Sequence, residues 1–443
     1  MTAQSRQGEG GNSEPLLLSI SDWIARRSDL QIALAFYFCA FAVRLCVAFL
    51  HGINTPLSSD EPEYYEPAMR MLQGQGYSHL WPDGILRLSA YRVPGTSAFI
   101  ALGLLSLGKH VESARLTAVI IASFAAPLMY LFARRVASRG ESLAAGIACV
   151  LYPTWLFLSG GVWSEPYFIP LLLLSLLLSG RAVYSPASWI SLAAGMAWGV
   201  TALVRPHGAP MALLITIYLF SRAGWRRALL FLFGFTLLVA PWLVRNQEIF
   251  GHPFLATESG ETFLGSNNPY VIRNPALHGM WVAPRQIPEY WAAIEFNYNE
   301  AERSQIQNQI AWEYLKQNPR VAPRLALYKL MRWLTPVTVT GGAVRLAVLA
   351  SYGMLLLFLM IGCLRRIYHG SVELHLVSIW SLLMTALTIF YWGNLTRGRL
   401  SVEILWLPWG SIAAFHTLGW FRQVLRSRET PNRSSKVGAH SGH

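Results

Sequence analysis

The chain has 443 residues, of which 53% are hydrophobic and only 13% are charged. This composition excludes an ordinary soluble globular enzyme and indicates an integral membrane protein. The formal net charge of +13 does not require a nucleic-acid partner, because the basic residues cluster in short loops between apolar runs, where membrane topology accounts for them.

Apolar runs long enough to cross about 30 Å of hydrocarbon recur along the chain and predict about ten transmembrane helices. In chain order, the predicted spans are residues 30–50, 116–132, 144–157, 166–178, 189–204, 209–220, 229–244, 346–364, 374–391 and 404–420. The predicted fold class is therefore an all-α polytopic membrane protein. Its predicted parts are a cytosolic N-terminal tail (1–29), a membrane-embedded domain (30–420) and a basic cytosolic tail (421–443).

Basic residues in the short loops set the predicted orientation. With ten spans, the arginine clusters of these loops fall on one side, which the positive-inside rule assigns to the cytoplasm. Both termini are then cytoplasmic. Two long polar loops, at about residues 51–115 and 245–345, lie on the outer face and are expected to carry interfacial helices.

The first outer loop opens with SSDEPEYYEP (58–67), which gathers four carboxylates directly after an apolar span. One interpretation is a helix start, with Asp60 as the N-cap and Glu63 closing a capping box. That interpretation leaves Glu61 and Glu66 without a role. The alternative is chemical: partial desolvation at the hydrocarbon boundary raises the proton affinity of a carboxylate, which then suits general-base catalysis.

Further along, two segments predict helices at the membrane surface. The apolar segment 91–108 is interrupted by Pro94 and Gly95, so it is expected to lie in the interface. In the second outer loop, a helix at about 295–317 precedes a basic amphipathic helix that is expected to face anionic lipid. Its basic residues are Arg320, Arg324, Lys329 and Arg332.

Four arginines stand out by their position. Arg205, Arg397 and Arg399 fall on the outer side, against the positive-inside bias, and Arg44 lies within the first span, where a charge costs at least about 2.5 kcal/mol. Because a guanidinium pairs bidentately with phosphate oxygens, these residues are candidate ligands for an anionic substrate. The alternative for each is snorkelling to lipid headgroups or pairing with a carboxylate such as Glu403.

Other polar and aromatic residues of the outer face are assigned structural roles. His207 is a lone histidine, and such residues are more often structural than catalytic. Trp163, Trp281 and Trp291 could stack on sugars, but an aromatic belt places tryptophan at the same depth, so they are not included in the predicted site.

The stretch SSDEPEYYEPAMRMLQGQGY (58–77) resembles the first outer loop of the polyprenyl-phosphate-sugar-dependent C-type glycosyltransferases, relatives of the protein O-mannosyltransferases and the lipid A aminoarabinose transferase. The family pattern is an Asp-Glu pair, a tyrosine and a Gly-x-Gly end. Here it is matched by Asp60, Glu61, Tyr64, Gly74 and Gly76.

Three later segments are similar to family segments in the same order. YRVPGTSAF (91–99) resembles the Arg-x-Pro-Gly interfacial segment through Arg92. PWLVRNQEIFGHPFLATESGETFLGSNNP (241–269) resembles the Pro-Trp-x-x-Arg-Asn span end, with Arg245, and the loop after it. RGRLSVEILWLP (397–408) resembles the basic entry to a late span.

The resemblance implies a transferase that moves a hexosyl or pentosyl group from a polyprenyl-phosphate donor to an acceptor hydroxyl, with inversion. The active site would face the periplasm, in the cell envelope, from a bacterial inner (plasma) membrane. By this resemblance Asp60 is the general base and Glu61 assists it. Some branches of the family use a divalent metal in this loop, but no cofactor requirement is predicted here and no metal ligand is assigned.

The same resemblance and the arginine argument complete the predicted site. The donor phosphate is assigned to Arg397, Arg399, Arg205 and Arg44. Other substrate contacts are assigned to Tyr64, Arg92, Glu165 and Arg245. For Glu165, a helix start before Pro166 is an equal alternative. Pro62 and Pro67 depart from the family pattern.

Two other functions remain open at this stage. A transporter or flippase for a lipid-linked sugar also needs many spans and buried charges, although such proteins usually have an internal repeat and mid-membrane charges. An inactive relative that only binds lipid-linked sugar is the third alternative. The sugar is not predicted, and neither is the acceptor, which is a lipid, a glycan or a protein; membrane lipids are the other expected partner.

Overall fold

The computed structural model describes residues 26–81, 84–287, 290, 299–335, 342–393 and 396–429. Most of the two predicted cytosolic tails lies outside these ranges. Within them the chain is almost entirely helical, with one two-stranded antiparallel sheet.

The elements of the N-terminal part are α1 (Asp29–Leu50), α2 (Pro62–Leu72), β1 (Ser78–Leu80), β2 (Leu86–Leu88), α3 (Gly95–Leu107), α4 (Val111–Ala122), α5 (Ala125–Ala133), α6 (Arg139–Leu151), α7 (Pro153–Leu158), α8 (Glu165–Tyr184), α9 (Trp189–Val204), α10 (Gly208–Ala223) and α11 (Trp225–Phe250). The elements that follow are α12 (Glu258–Ser266), α13 (Pro269–Arg273), 3-10 turns at Pro275–Leu277 and Pro284–Gln286, α14 (Glu300–Gln317), α15 (Val321–Leu334), α16 (Gly342–Leu364), α17 (Val372–Leu387), a π-helical segment (Thr388–Trp392), α18 (Thr396–Leu405) and α19 (Leu407–Glu429).

The predicted all-α polytopic membrane fold is confirmed. Within the described ranges, six segments are long and apolar enough to cross a membrane: Asp29–Leu50, Val111–Ala133, Glu165–Tyr184, Trp225–Phe250, Val344–Leu364 and Val372–Trp392. Shorter apolar helices are Gly95–Leu107, Trp189–Val204 and Gly208–Ala223. Each of these nine segments coincides with a predicted span or with the predicted interfacial helix.

The other two predicted spans are interrupted helices. Residues 144–157 fall on α6 and α7, which are separated at Tyr152 because the residue before Pro153 is extended, with ψ 115°. Residues 404–420 run across the break between α18 and α19, where Pro408 follows.

Small residues allow the membrane helices to approach closely. A Cβ atom at Gly195 of α9 would lie 1.9 Å from the carbonyl oxygen of Phe231 in α11, so only glycine fits there. Gly95, at the start of α3, has the same role against the end of α9, because its Cβ would lie 2.5 Å from the Leu203 carbonyl oxygen. The interfacial segment therefore rests directly on a membrane helix.

The two loops predicted to lie on the outer face, for which the name outer loops is kept, are joined to one another. The backbone amides of Thr257 and Glu258 donate to the carbonyl oxygens of Ala90 (2.8 Å) and Tyr91 (3.1 Å). Glu300 of α14 is buried and accepts hydrogen bonds from the Ser89 hydroxyl and the Ala90 amide. These bonds hold the segment before α3 and the segment before α12 side by side, and that junction forms part of the cavity described below.

A β-hairpin in the first outer loop has no counterpart in the sequence-based prediction. Its register pairs Ser78 with Leu88 and Leu80 with Leu86. Arg245, near the outer end of α11, donates to the Ser89 (2.8 Å) and Tyr77 (3.0 Å) carbonyl oxygens at the base of this hairpin.

The second-loop helix predicted to be basic and amphipathic is α15, but one of its cations points inward. Lys329 is fully buried and donates to the Asn267 side-chain oxygen at 2.8 Å. Burial lowers the pKa of Lys329 to about 7. Its ammonium group therefore does not face anionic lipid.

Candidate active site

A cavity of about 500 Å³ lies where both of these loops meet the ends of the membrane helices that they connect. The polar part of its lining includes Asp60, Tyr64, Arg92, Arg205, Glu258 and Arg397. The apolar part includes Val204, Pro210, Phe254, Leu387 and Trp392. This combination suits a ligand with one charged and one apolar part.

The four carboxylates of the opening stretch each have a different partner. Asp60 contacts Arg397, and Glu63 contacts Arg92. Glu66 pairs with Arg70 one turn later in α2 at 2.7 Å, on the surface. The N-cap position falls on Glu61 and has no side-chain cap, so the capping-box interpretation is wrong.

Arg397 joins two carboxylates in the polar part of the lining. Its Nη1 contacts Asp60 Oδ2 at 2.7 Å, and its Nε and Nη2 contact both oxygens of Glu165 at 2.7 and 2.9 Å. The Trp163 ring lies 4.6 Å from the guanidinium carbon, a cation–π distance. Despite burial, the neighbouring Glu165 carboxylate raises the pKa of Arg397 above its usual value, so the guanidinium is permanently charged.

Glu165 holds a second arginine beside the first. It is 1% exposed, and its Oε1 also accepts from Arg205 Nη2 at 2.6 Å, while Arg205 Nε donates to the Ser164 hydroxyl at 2.7 Å. A carboxylate this buried requires charged partners. One carboxylate thus fixes two guanidinium groups, and with the Asp60 contact to Arg397 two carboxylates face two guanidinium groups here.

Arg92 organises a neighbouring, acidic part of the lining. It contacts Glu63 (2.6 Å) and Glu258 (2.8 Å), and it lies 3.8 Å from Asp60. Burial raises the pKa of Glu63 although Arg92 opposes this shift. Glu63 and Glu258 share the single Arg92 guanidinium and leave a surplus of negative charge there, so an anion is less disfavoured beside Arg205 and Arg397 than here.

Two of the predicted site residues brace the first loop instead of facing the cavity. Glu61 is 3% exposed and accepts hydrogen bonds from the backbone amides of Ser58 and Val162 at 2.9 Å each. It also pairs with Arg115 at 3.3 Å. Arg245 holds the hairpin, as described above. Neither lines the cavity.

The other two arginines assigned to the phosphate also lie away from it. Arg44 is 1% exposed and donates to the carbonyl oxygens of Ala40 and Cys149 at 3.3 and 3.4 Å. Arg399 pairs with Glu403, the alternative considered above, and donates to the Trp333 carbonyl oxygen at 2.8 Å. A helical repeat separates Arg399 from Arg397 by about 200° around α18, so their side chains diverge.

The cavity also has lining residues that sequence reasoning did not include. Glu258 begins α12 and lies within the family-like segment 241–269, but no feature of that segment singled it out. Trp333 and Trp392 lie at helix ends, where tryptophan is common in membrane proteins. His207 lines the cavity, whereas Trp163 stacks on Arg397 and does not itself line the cavity.

Among the described residues, no group of three or more His, Cys, Asp or Glu side chains is arranged to hold a metal ion. The carboxylates of Asp60, Glu63 and Glu258 converge on the Arg92 guanidinium, which occupies the position that a cation would need.

The chain matches no family model, and no curated protein matches it in sequence. It is similar in structure to the archaeal oligosaccharyltransferase AglB from Archaeoglobus fulgidus in complex with an inhibitory peptide and a dolichol-phosphate: TM-score 0.54, 16% identity, 93% of this chain and 53% of that chain. The apo form of that oligosaccharyltransferase has a TM-score of 0.54 and 15% identity, over 93% of this chain and 53% of that chain. ArnT from Cupriavidus metallidurans bound to undecaprenyl phosphate has a TM-score of 0.41 and 15% identity, over 93% of this chain and 82% of that chain.

At these low identities, the structural similarity to the oligosaccharyltransferase shows the fold alone. The chain spans about half the length of the oligosaccharyltransferase structures, at 53%. The membrane fold expected from the C-type glycosyltransferase resemblance is confirmed.

Proposed function

We propose that this protein is a glycosyltransferase that moves a sugar from a polyprenyl-phosphate donor to an acceptor hydroxyl at the outer face of the membrane. The observation that carries the proposal is the 2.7 Å contact between Asp60 and Arg397, 337 residues apart in the chain, in one cavity at the outer helix ends. A candidate base and a candidate phosphate ligand are thus neighbours.

Arg205 and Arg397 are the proposed ligands of the donor phosphate. Glu165 satisfies only part of their hydrogen-bonding capacity, because each guanidinium has five N–H donors. Two fixed cations beside an apolar wall suit a phosphodiester whose prenyl chain lies in lipid. They also stabilise the negative charge that develops on the phosphate as its bond to the sugar breaks.

Asp60 is the proposed general base. It takes the proton of the acceptor hydroxyl while that oxygen forms a bond to the anomeric carbon, and the phosphate leaves with the electron pair of the broken bond. A single displacement of this kind inverts the anomeric centre. Donor phosphate competes with Asp60 for Arg397, so donor binding would free the carboxylate to act.

The remaining assignments follow from the same geometry. Tyr64 and Arg92 line the cavity beside Asp60 and are proposed to orient the acceptor. Glu61, first proposed to assist the base, is instead proposed to position Asp60 by anchoring the first loop. A bacterial plasma membrane with the cavity facing the periplasm is the proposed location; the sugar and the acceptor are left open.

The test uses the full-length protein reconstituted with radiolabelled decaprenyl-phosphate sugars and a membrane acceptor extract. Asp60→Asn should reduce transfer at least about 100-fold, as expected for loss of a general base. The matched control is Glu66→Gln in the same segment, an exposed surface pair that should change transfer less than twofold.

Two outcomes would contradict the proposal. Transfer by Asp60→Asn at the wild-type rate would remove Asp60 from the role of base. Movement of intact labelled donor across the bilayer without any glycosidic product would show a flippase and would refute the transferase.

A further inference from the structure

His207 is a buried polar side chain whose role the proposed reaction does not explain. It lies between α9 and α10, is 8% exposed and contributes to the cavity wall. Its Nε2 atom is buried and has no hydrogen-bond partner among the described residues. A buried ring nitrogen without a partner costs free energy, so a ligand that satisfies it is favoured.

The surroundings keep this imidazole uncharged. Burial, together with the positive charge of Arg205 two residues earlier, holds the pKa of His207 well below its usual value. A neutral imidazole has one donor and one acceptor nitrogen and no charge to offer a phosphate. The chemical group that it matches is an uncharged hydroxyl.

Aromatic rings enclose the imidazole on three sides. The ring centroids of Phe168, Trp392 and Trp380 lie 5.0, 5.2 and 5.7 Å away. A half-turn about the Cβ–Cγ bond exchanges Nε2 with Cε1 without backbone movement, so the unpaired nitrogen can occupy either of these two ring positions.

Trp392 is held at the cavity by an unusual backbone. It ends the π-helical segment, a feature that is frequent at functional sites, and is followed by Gly393 with φ 74°. The segment is tied to the second outer loop, because the Tyr391 hydroxyl donates to the Ser259 carbonyl oxygen at 2.5 Å. The indole meets the imidazole at 80° and lines the cavity, where its negative face can pack against sugar C–H groups.

We propose that His207 and Trp392 form the subsite that recognises the donor sugar, with His207 bonding one sugar hydroxyl and Trp392 packing on the apolar face of the ring. This inference rests on the proposed function and names the specificity-determining residues of the same site. The subsite adjoins Arg205, as it must if sugar and phosphate are joined by a single bond.

The experiment measures binding, so it does not depend on turnover. Wild-type protein in nanodiscs is titrated with decaprenyl phosphate and with decaprenyl phosphates carrying mannose, glucose or arabinose. At least one sugar-bearing lipid should bind more tightly than the bare lipid. His207→Phe keeps the ring but not the hydrogen bond, and should weaken that lipid about tenfold while leaving the bare lipid unchanged.

Two matched variants separate hydrogen bonding from packing. His207→Gln keeps a donor and an acceptor and should retain part of the preference for the sugar. His252→Phe alters an exposed histidine of the second outer loop and should change neither affinity.

A measurement on the wild-type protein covers the case in which His207→Phe does not fold. Monodeoxy analogues of the preferred lipid should reveal one hydroxyl whose removal costs about tenfold in wild type and clearly less in His207→Gln, which retains only part of the bond. Such non-additivity assigns the hydroxyl to His207.

The experiment distinguishes failure of the sugar subsite from failure of the proposed function. Equal affinity of wild type for bare and sugar-bearing lipids overturns the subsite and leaves the phosphate site standing. Parallel loss of both affinities in His207→Phe makes His207 a structural residue and also overturns the subsite. No binding of decaprenyl phosphate to wild type overturns the proposed function and the subsite together.

Discussion

The substitution Glu165→Gln tests whether one buried carboxylate holds the two arginines of the cavity. Glu165 makes three contacts with Arg205 and Arg397, at 2.6, 2.7 and 2.9 Å, and is 1% exposed. Removing one partner of a buried ion pair costs about 3–5 kcal/mol. Glutamine retains one acceptor oxygen and Asp60 still contacts Arg397, so we expect about 3 kcal/mol, the lower end of that range.

The same change should slow transfer by more than the loss of fold stability alone would cause. Without the shared carboxylate the two guanidinium groups repel each other and separate, and a displacement of about 1 Å in a substrate-positioning group costs about 100-fold in rate. The free energy of unfolding is measured by reversible SDS titration in bicelles, and transfer by the labelled-donor assay. Glu66→Gln is the control, with an expected stability change of about 0.5 kcal/mol or less.

Two results would refute this reasoning in different ways. If Glu165→Gln is as stable as wild type and transfers at the same rate, Glu165 does not hold the arginines in a charged pair. If stability falls but donor affinity and transfer are unchanged, the ion-pair network is structural and Arg205 and Arg397 do not bind the donor.

Arg399→Gln should lower the unfolding midpoint without raising the KM for donor, because Arg399 binds Glu403 and the Trp333 carbonyl oxygen. Arg397→Gln should raise that KM. Equal KM changes in the two variants would contradict the placement of Arg399 outside the cavity. Lys329→Met tests the buried ammonium. The folded pKa of about 7 lies below the unfolded value of 10.5, so between these pH values the unfolded chain binds a proton that the folded chain lacks, and wild-type stability rises with pH. The difference in unfolding free energy between wild type and Lys329→Met should therefore shift in favour of wild type from pH 7 to pH 10, and parallel pH curves would contradict the assignment.

Much of the fold is predictable from the sequence because hydrocarbon imposes a local rule. Each membrane-crossing segment must satisfy its own backbone polar groups and present apolar side chains over about 20 residues, so composition alone marks it. The span predicted at 189–204 coincides with helix α9, Trp189–Val204. The prediction fails where prolines interrupt an apolar run, as at Pro153, and for the hairpin, whose short strands depend on Arg245 from a distant helix.

The candidate site was only partly predictable. Asp60, Arg205 and Arg397 carry a local signal, since a charge at an outer span end conflicts with the apolar pattern and the positive-inside bias. Arg399 has the same signal and yet points elsewhere, because two residues along a helix are about 200° apart. Sequence position does not distinguish these two arginines, whereas the helix rotation does.

The sequence by itself determined that this is a polytopic helical membrane protein with its acidic and basic outliers at the ends of spans. Only the tertiary structure decided which outliers meet: Asp60 with Arg397, Glu165 with both Arg205 and Arg397, and Glu258 with Arg92. The physical reason is that burial in lipid depends on the composition of each segment alone. The pairing of buried charges depends on the distances between segments, which are set only when the helices pack.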